Sequence, residues 1–307
     1  MSSSEQKYPL VSIITVNYNQ SAVTMDLLSS LRKITYPSFE TIVVDNSSPN
    51  DDPQDIKNKF PEIELIISNK NLGFAGGNNL GVKASKGKYL LFLNNDTEVP
   101  PGFLEPLVNL FENDETIGMV SPKIKFHWNP DIVQYAGFSE MNRYTIRNKG
   151  LGYHKKDGPE VNDLKETASI HGAAMMVPRK VIKEVGMMTE VYFLYYEEHD
   201  WAEKIKKAGY KIVYQPASYI LHKESVSTGK DSPFKTYFIT RNRILFARRN
   251  FSGFPFLASM LFQAFVSLPK NSAVFLLKGR FKHLSAYWRG VFWNLTHYRN
   301  LKSNPQL

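Results

Sequence analysis

The sequence predicts an α/β protein in which a mostly parallel sheet is flanked by helices and followed by a C-terminal amphipathic helical appendage. Three observations carry this prediction. Over the first 125 residues short β-rich runs alternate with helical patterns, the order that buries a parallel sheet between helices. Three of those runs end in clusters of Asn and Asp, at the strand ends where open α/β sheets bind ligands. After Asp231 the chain has no acidic residue, while twelve Lys or Arg are interleaved with Phe, Trp and Tyr.

With 42% apolar and 13% aromatic residues, 307 residues bury a substantial core as one large domain with a small appendage. Cysteine is absent, which excludes disulfides and thiolate metal sites and leaves oxygen atoms or histidine to hold any metal. That fits a reducing cytoplasm. Met1 to Tyr8 lacks the basic-then-apolar order of a secretory signal, so the chain is expected to remain cytoplasmic, and Asn46-Ser47-Ser48 does not imply glycosylation. The net charge of +9 conceals an asymmetry: residues 1–200 carry 20 basic and 26 acidic side chains, whereas residues 201–307 carry 18 and 3.

The elements follow in order. Strands are expected over residues 10–17, 41–45, 63–68, 89–93 and 117–120, each a run of β-branched or large apolar side chains bounded by turn formers. Helices are expected from Ser21 to Ile34, from Phe74, and after Pro100-Pro101. Residues 126–170 are irregular and rich in Gly, Asn, His and aromatics, as expected of a long functional excursion that recognises an acceptor. Regularity returns with a strand-like run at 170–177, a helix near Lys180, a helix within 192–209 and a strand at 211–221.

The polar strand ends are Asn17-Tyr18-Asn19, Asp45-Asn46-Ser47 and Asn94-Asn95-Asp96. Turn chemistry accounts for any one of them; three in one half-chain point to a site. Asp45 stands where nucleotide-binding sheets place a carboxylate that reads a ribose hydroxyl or a base N–H. Asn94-Asn95-Asp96 offers one carboxylate and two amide oxygens, hard ligands suited to a Mg²⁺ or Mn²⁺ held mainly by substrate phosphates.

The run from Asn71 through Gly73 and Gly77 to Asn79 follows a strand and opens a helix. Either its backbone N–H groups meet a diphosphate or it is a glycine turn. It matches neither GxGxxG nor the P-loop, which argues against a dinucleotide oxidoreductase or a P-loop ATPase. Glu197, Glu198 and Asp200 fall within four residues of one another, beside aromatics, at a helix start. Capping explains them, as does a general base in a partly enclosed setting. His222 ends the last strand and is followed by Lys223, Ser225, Ser227 and Thr228; it is a candidate for metal or phosphate contact, or an ordinary buried histidine.

Together these residues resemble the nucleotide-sugar-dependent glycosyltransferases of family 2, and within them the bacterial rhamnosyltransferase-like branch of cell-surface polysaccharide synthesis. The resemblance spans about residues 8–250 and rests on ordered features: VSIITVNYN, IVVDNSS, NLGFAGGNNLG, LLFLNNDTEV, HGAAMMVPR, YFLYYEEHDW, the strand ending in His222, and TRNRILFARRN. It implies a GT-A-type fold with a mostly parallel Rossmann-like sheet, a nucleotide-sugar half at about 8–125 and an acceptor and catalytic half at about 126–250. It also implies single-displacement, inverting transfer with a divalent metal, Mg²⁺ or Mn²⁺. Thr15, Asn17, Asp45, Asn71, Gly73, Gly77, Asn79, Asn94 and Asn95 would line the donor site. Asp96 would meet the metal with His222 as helper, Glu198 would be the catalytic base, and Gly172, Glu197, Asp200 and Trp201 would face the acceptor. Asn94 replaces the first Asp of the general Asp-x-Asp motif, and Glu198 stands where many relatives carry Asp. The Gln-x-x-Arg-Trp motif of processive relatives is missing, so one sugar per encounter is expected.

Residues 251–307 form the basic aromatic appendage. The apolar run at 254–268 is fifteen residues long, short of the roughly 20 that span a bilayer, and Ser259, Gln263 and Ser267 recur along it at every fourth position. Leu277, Phe281, Leu284, Trp288, Val291 and Leu295 form a second helical stripe with Lys278, Lys282 and Arg289 off it. These features predict interfacial helices on an anionic membrane, peripheral on the inner face of the cell membrane. The alternative is packing on the catalytic domain or in a homodimer. No nucleic-acid-binding motif accompanies the charge. The expected partners are therefore a nucleotide diphosphate sugar and a lipid-linked or polysaccharide acceptor. The rival functions are a sugar nucleotidyltransferase and a non-catalytic, membrane-attached glycan-binding protein.

Overall fold

The structure, a computed structural model, describes residues 8–224, 231–297 and 305–307. Ser225, Ser227 and Thr228 lie outside them.

The first half is a parallel sheet. Strands β1 (Val11–Asn17), β2 (Phe39–Asp45), β3 (Glu64–Ile67) and β4 (Tyr89–Leu93) are joined through helices α1 (Ser21–Leu31), α2 (Gln54–Lys59) and α3 (Gly73–Ala84) and lie side by side as β3-β2-β1-β4. Alternate residues point to opposite faces, so one sequence run supplies two cores. Val11, Ile13, Val43, Tyr89 and Leu91 pack with α1 and α2, whereas Ile14, Ile42, Val44, Leu90 and Phe92 pack with α3. The register sets Asn17 level with Asp45, which aligns two of the polar strand ends.

The second half departs from the parallel expectation. It contains β5 (Thr97–Glu98), α4 (Glu105–Asn113), β6 (Ile117–Phe126), β7 (Asn129–Tyr135), β8 (Lys165–Glu166), β9 (Ala174–Pro178), α5 (Arg179–Val185), α6 (Glu197–Lys207) and β10 (Lys211–His222). The sheet continues β4-β9-β6-β10-β5, with β9 antiparallel to both its neighbours and β10 parallel to β6. The excursion at 126–170 is less irregular than its composition suggests, because β7 turns straight back onto β6 as a hairpin. A break in register between Gln215 and Tyr219 lets β10 run on until His222 pairs with Thr97 of β5. That pairing delivers His222 to the residue next to Asp96.

Helix α7 (Pro233–Asn250) follows, then one continuous helical segment, 253–277, and α10 (Phe281–Thr296). The segment consists of α8 (Gly253–Phe262), a π-helical turn (Gln263–Ser267) and α9 (Leu268–Leu277). The apolar run was expected to end at 268. Instead the helix passes Pro269, whose missing N–H and bulky ring follow directly on the wide π turn. Its 25 residues, of mean hydropathy 1.3, are long and apolar enough to cross a membrane by length and composition. Its polar stripe faces the protein: Ser259 and Ser267 are buried, and Asn271 donates to the Tyr287 hydroxyl at 3.3 Å. The outward face bears Phe254, Leu257, Leu261 and Phe265, the last 76% exposed. Helix α10 crosses α7 at Gly290, where a Cβ would stand 2.8 Å from the Tyr237 carbonyl oxygen, and Asn294 donates to the Arg241 carbonyl.

Candidate active site

The polar strand ends open into a cleft of about 590 Å³, walled by Asn94, Asn95, Asp96, Gln134, His171, His222, the glycine loop and the aromatic segment 193–195. At its centre Oδ1 of Asp96 lies 3.2 Å from Nε2 of His222, and both side chains are nearly inaccessible. The Gln134 amide oxygen sits 2.8 Å from Nδ1 of His222, which fixes the proton on Nδ1 and turns the Nε2 lone pair toward Asp96. Oδ1 of Asp96 makes no hydrogen bond among the described residues. A buried carboxylate oxygen and an imidazole nitrogen that converge at this distance fit a divalent cation. No third acidic or histidine ligand joins them among the described residues.

His171 stands beside this pair, its ring 5.8 Å from that of His222. The Ala173 N–H donates to its Nδ1, and burial together with His222 and His199 pushes its pKa down to about 3. His171 is therefore a neutral imidazole with its proton on Nε2. Sequence reasoning passed over His171 and Gln134 because it looked for ligands after parallel strands. Antiparallel β9 and β7 bring His171, before a strand, and Gln134, near a strand end, to the same edge.

At the aligned ends of β1 and β2, Asn17 donates to Asp45 Oδ1 at 2.8 Å and accepts from Thr24 Oγ1, which in turn accepts from Asn95. Ser48 donates to both Asp45 oxygens, through its hydroxyl at 2.6 Å and its N–H at 3.0 Å. Asp45 is thus buried and held in one orientation. Thr15, in β1, is buried, and its hydroxyl makes no hydrogen bond among the described residues.

In the glycine loop several backbone donors are engaged by the protein itself. Leu72 N–H is taken by the Asn46 amide oxygen, Gly73 N–H by Asn71 and Phe74 N–H by the Phe193 carbonyl at 2.6 Å. Three backbone donors of the loop, those of Leu72, Gly73 and Phe74, are therefore bonded within the chain. Gly73 is needed for contact, since at φ +70 a Cβ would meet the Phe193 oxygen at 2.3 Å. Asn71 and Gly73 still line the cleft. Gly77 packs on Val16, and Asn79 donates to the Met188 carbonyl and to Glu190. These two hold α3 in place, and neither is among the residues lining the cleft.

The segment before α6 is under backbone strain. Phe193, Tyr195 and Tyr196 all have positive φ, 64, 70 and 76, a conformation that costs a non-glycine residue about 1–3 kcal/mol. Asn242 of α7 holds it, its amide within 3.0 Å of the carbonyls of Tyr192, Leu194 and Tyr195, and Arg241 donates to those of Val191 and Tyr192. Asn242 and Arg241 are positioning residues that the TRNRILFARRN run signalled without revealing their role.

Helix α6 then presents the carboxylates. Glu198 lies 3.7 Å from His199 Nε2, and His199 Nδ1 meets Ser169 Oγ at 2.6 Å on the 126–170 excursion. Glu198 is partly enclosed and is not one of the residues lining the cleft. Glu197 is buried; burial and the adjacent Glu198 raise its pKa well above the carboxylate range. Asp200 and Trp201 are at odds with an acceptor contact. Asp200 takes a bidentate hold from Arg249 at 2.9 and 3.0 Å, with Thr189, Tyr192 and Asn250 around it. Trp201 lies in the core and donates to the Gly186 carbonyl. Gly172 sits beside Phe74, next to His171.

The model of the family described as glycosyl transferase family 2 matches residues 12–186, more than half of the chain. The chain belongs to glycosyltransferase family 2. The N-acetylglucosaminyl-diphospho-decaprenol L-rhamnosyltransferase of Mycobacterium tuberculosis is 23% identical over 71% of this family 2 chain and 78% of its own. The low-salt glycan biosynthesis hexosyltransferase Agl10 of Haloferax volcanii is 28% identical over 79% of this chain and 76% of its own. Among solved structures, GalNAc-T7 with UDP, GalNAc and Mn²⁺ aligns with a TM-score of 0.68 at 18% identity, over 98% of this chain and 60% of that one. The mannosyltransferase PcManGT of Pyrobaculum calidifontis with GDP-Man and Mn²⁺ aligns at 0.57 and 14% identity, over 96% and 77%. These likenesses show the GT-A fold. Family and fold together support a nucleotide-sugar glycosyltransferase.

Proposed function

We propose that the protein is an inverting glycosyltransferase that moves one sugar, with rhamnose the favoured candidate, from a nucleotide diphosphate donor to a lipid-linked or polysaccharide acceptor at the inner membrane surface. The observation that carries this reading is the convergence of Asp96 Oδ1 and His222 Nε2 at 3.2 Å in the cleft. The rhamnosyltransferase relative supports the choice of sugar and of a lipid diphosphate acceptor, and the two neighbours with Mn²⁺ support a divalent metal, Mn²⁺ or Mg²⁺.

Asp45 and Asn17 orient the nucleotide, and Asn94 and Asn95 supply amide groups beside the diphosphate. Held by Asp96 and His222, the cation would stabilise charge on the departing diphosphate. Glu198 takes the proton from an acceptor hydroxyl, whose oxygen forms the new bond to the anomeric carbon as the bond to the diphosphate breaks on the opposite face. Burial and the adjacent Glu198 raise the pKa of Glu197, so it holds its proton more tightly than an ordinary carboxylate. A panel of nucleotide sugars, assayed with Mn²⁺, with Mg²⁺ and with chelator, tests the reading. The expected product has the anomeric configuration opposite to the donor by NMR; a retained configuration rejects inversion.

A further inference from the structure

A second cavity, of about 280 Å³, adjoins the cleft and shares Ser232 and Lys235 with it. Its lining comes from the 126–170 excursion, α7, α9 and α10, and its character is basic: Arg147, Lys235 and Arg243 all contribute. The single carboxylate in its wall, Asp231, is held by Arg280 at 2.5 Å. Arg147 and Arg243 have no ion-pair partner among the described residues, and Arg243 lowers the pKa of Arg147 because the two positive charges face each other. Two opposed guanidiniums without a counter-charge are unfavourable alone and become favourable around an anion of more than one charge.

The surroundings restrict which anion. Arg243 donates to the Tyr196 hydroxyl, and Tyr196 directly precedes Glu197 and Glu198, so the cavity lies on the acceptor side of the site. Asn271 and Phe275 place α9 in its wall, and on the same helix Val274, Leu276 and Leu277 are exposed, Leu277 by 88%. Gln263 Nε2 approaches the Thr145 carbonyl at 3.4 Å, joining the loop that carries Arg147 to the same apolar helical segment. A charged cavity therefore opens beside an outward apolar face.

We propose that Arg147 and Arg243 bind the diphosphate of a lipid-linked acceptor, whose hydrocarbon chain lies along the exposed face of the 253–277 helix. The inference rests on the transferase reading above and adds to it a subsite and a ligand class. It also explains why the polar stripe of that helix points inward. The protein seals the helix with Ser259, Ser267 and Asn271 and leaves the apolar side to lipid.

The test is equilibrium binding of farnesyl diphosphate, farnesol and inorganic diphosphate to the full chain, with dTDP and UDP binding in the cleft as the control for a folded site. The wild type is expected to bind farnesyl diphosphate at least tenfold more tightly than either fragment. The double variant Arg147→Gln/Arg243→Gln is expected to lose at least tenfold of that affinity, and Arg147→Lys/Arg243→Lys to recover most of it. Equal affinity for inorganic diphosphate would show a free phosphate site and overturn the proposal, as would unchanged farnesyl diphosphate binding in the double glutamine variant. If the same variant loses phosphatidylglycerol vesicles to the same extent, the site is one for general headgroups and the acceptor assignment fails. Failure of the transferase reading looks different: no nucleotide sugar is turned over, whatever farnesyl diphosphate does.

Discussion

At the scale of single residues, the proposed chemistry rests on Asp96, His222 and Glu198, and each gives a distinct kinetic signature. Gln134→Leu removes the group that orients His222 without touching either ligand, so apparent metal affinity should fall by about 10–100-fold. Metal titration of activity reads this directly, and an unchanged curve would mean that Gln134 does not set the tautomer. Glu198→Gln should keep donor affinity and lose about 10²–10⁴ in kcat; near-normal transfer would move the base elsewhere. Of these residues the sequence exposed Asp96, His222 and Glu198, since each ends a strand or opens a helix. Gln134 and His171 were hidden, because their strands are antiparallel and approach the site from the other direction.

At the scale of elements, α6 is the piece most dependent on its neighbours. Its first turn follows a segment with three positive-φ residues, whose carbonyls at Tyr192, Leu194 and Tyr195 are held by Asn242 of α7, so the TRNRILFARRN run is placed to act on catalysis from a distance. Asn242→Ala should lower kcat by about tenfold or more while leaving donor KM near its normal value; a change confined to KM would contradict a positioning role. Two buried carboxylates give α6 opposite responses to pH. At Asp200 burial raises the pKa, but the bond to Arg249 more than offsets it and the net shift is downward. The stability it provides is present above the unfolded pKa near 3.8 and lost as pH falls below it. Glu197 is shifted upward. Its folded state retains a proton that the unfolded chain releases near 4.5, so stability declines as pH rises above 4.5 toward the folded value. Glu197→Gln should therefore flatten the fall in the urea midpoint as pH rises above 4.5, whereas Asp200→Ala should cost about 3–5 kcal/mol by stranding Arg249. Trp201 and Asp200 looked functional because they sit in one motif with Glu198. The helical period instead turns them inward, a distinction that linear spacing alone does not make.

At the scale of the molecule, a parallel half and a mixed second half share one sheet, and a helical appendage lies partly against the second half. The alternation of strands and helices made the parallel half legible to within a few residues. The β6–β7 hairpin was concealed by Asn129 and Pro130, which read as loop formers. In the appendage α10 packs on α7, while the 253–277 helix leaves Phe254, Leu257, Leu261 and Phe265 facing outward, the surface proposed for lipid. Truncation after Asn250 would remove both roles at once. Replacing those four outward side chains with Gln or Ser is cleaner, and should abolish sedimentation with phosphatidylglycerol vesicles while the melting temperature holds; undiminished sedimentation would contradict a membrane role for this face. The account as a whole turns on sugar transfer that requires the Asp96 centre. The most direct measurement is acceptor-dependent release of nucleoside diphosphate from a nucleotide sugar, titrated with Mn²⁺ in the wild type and in Asp96→Asn. The account predicts saturable, chelator-sensitive release that the variant loses by about a hundredfold or more. Equal release in both proteins, or release indifferent to chelator, would contradict it.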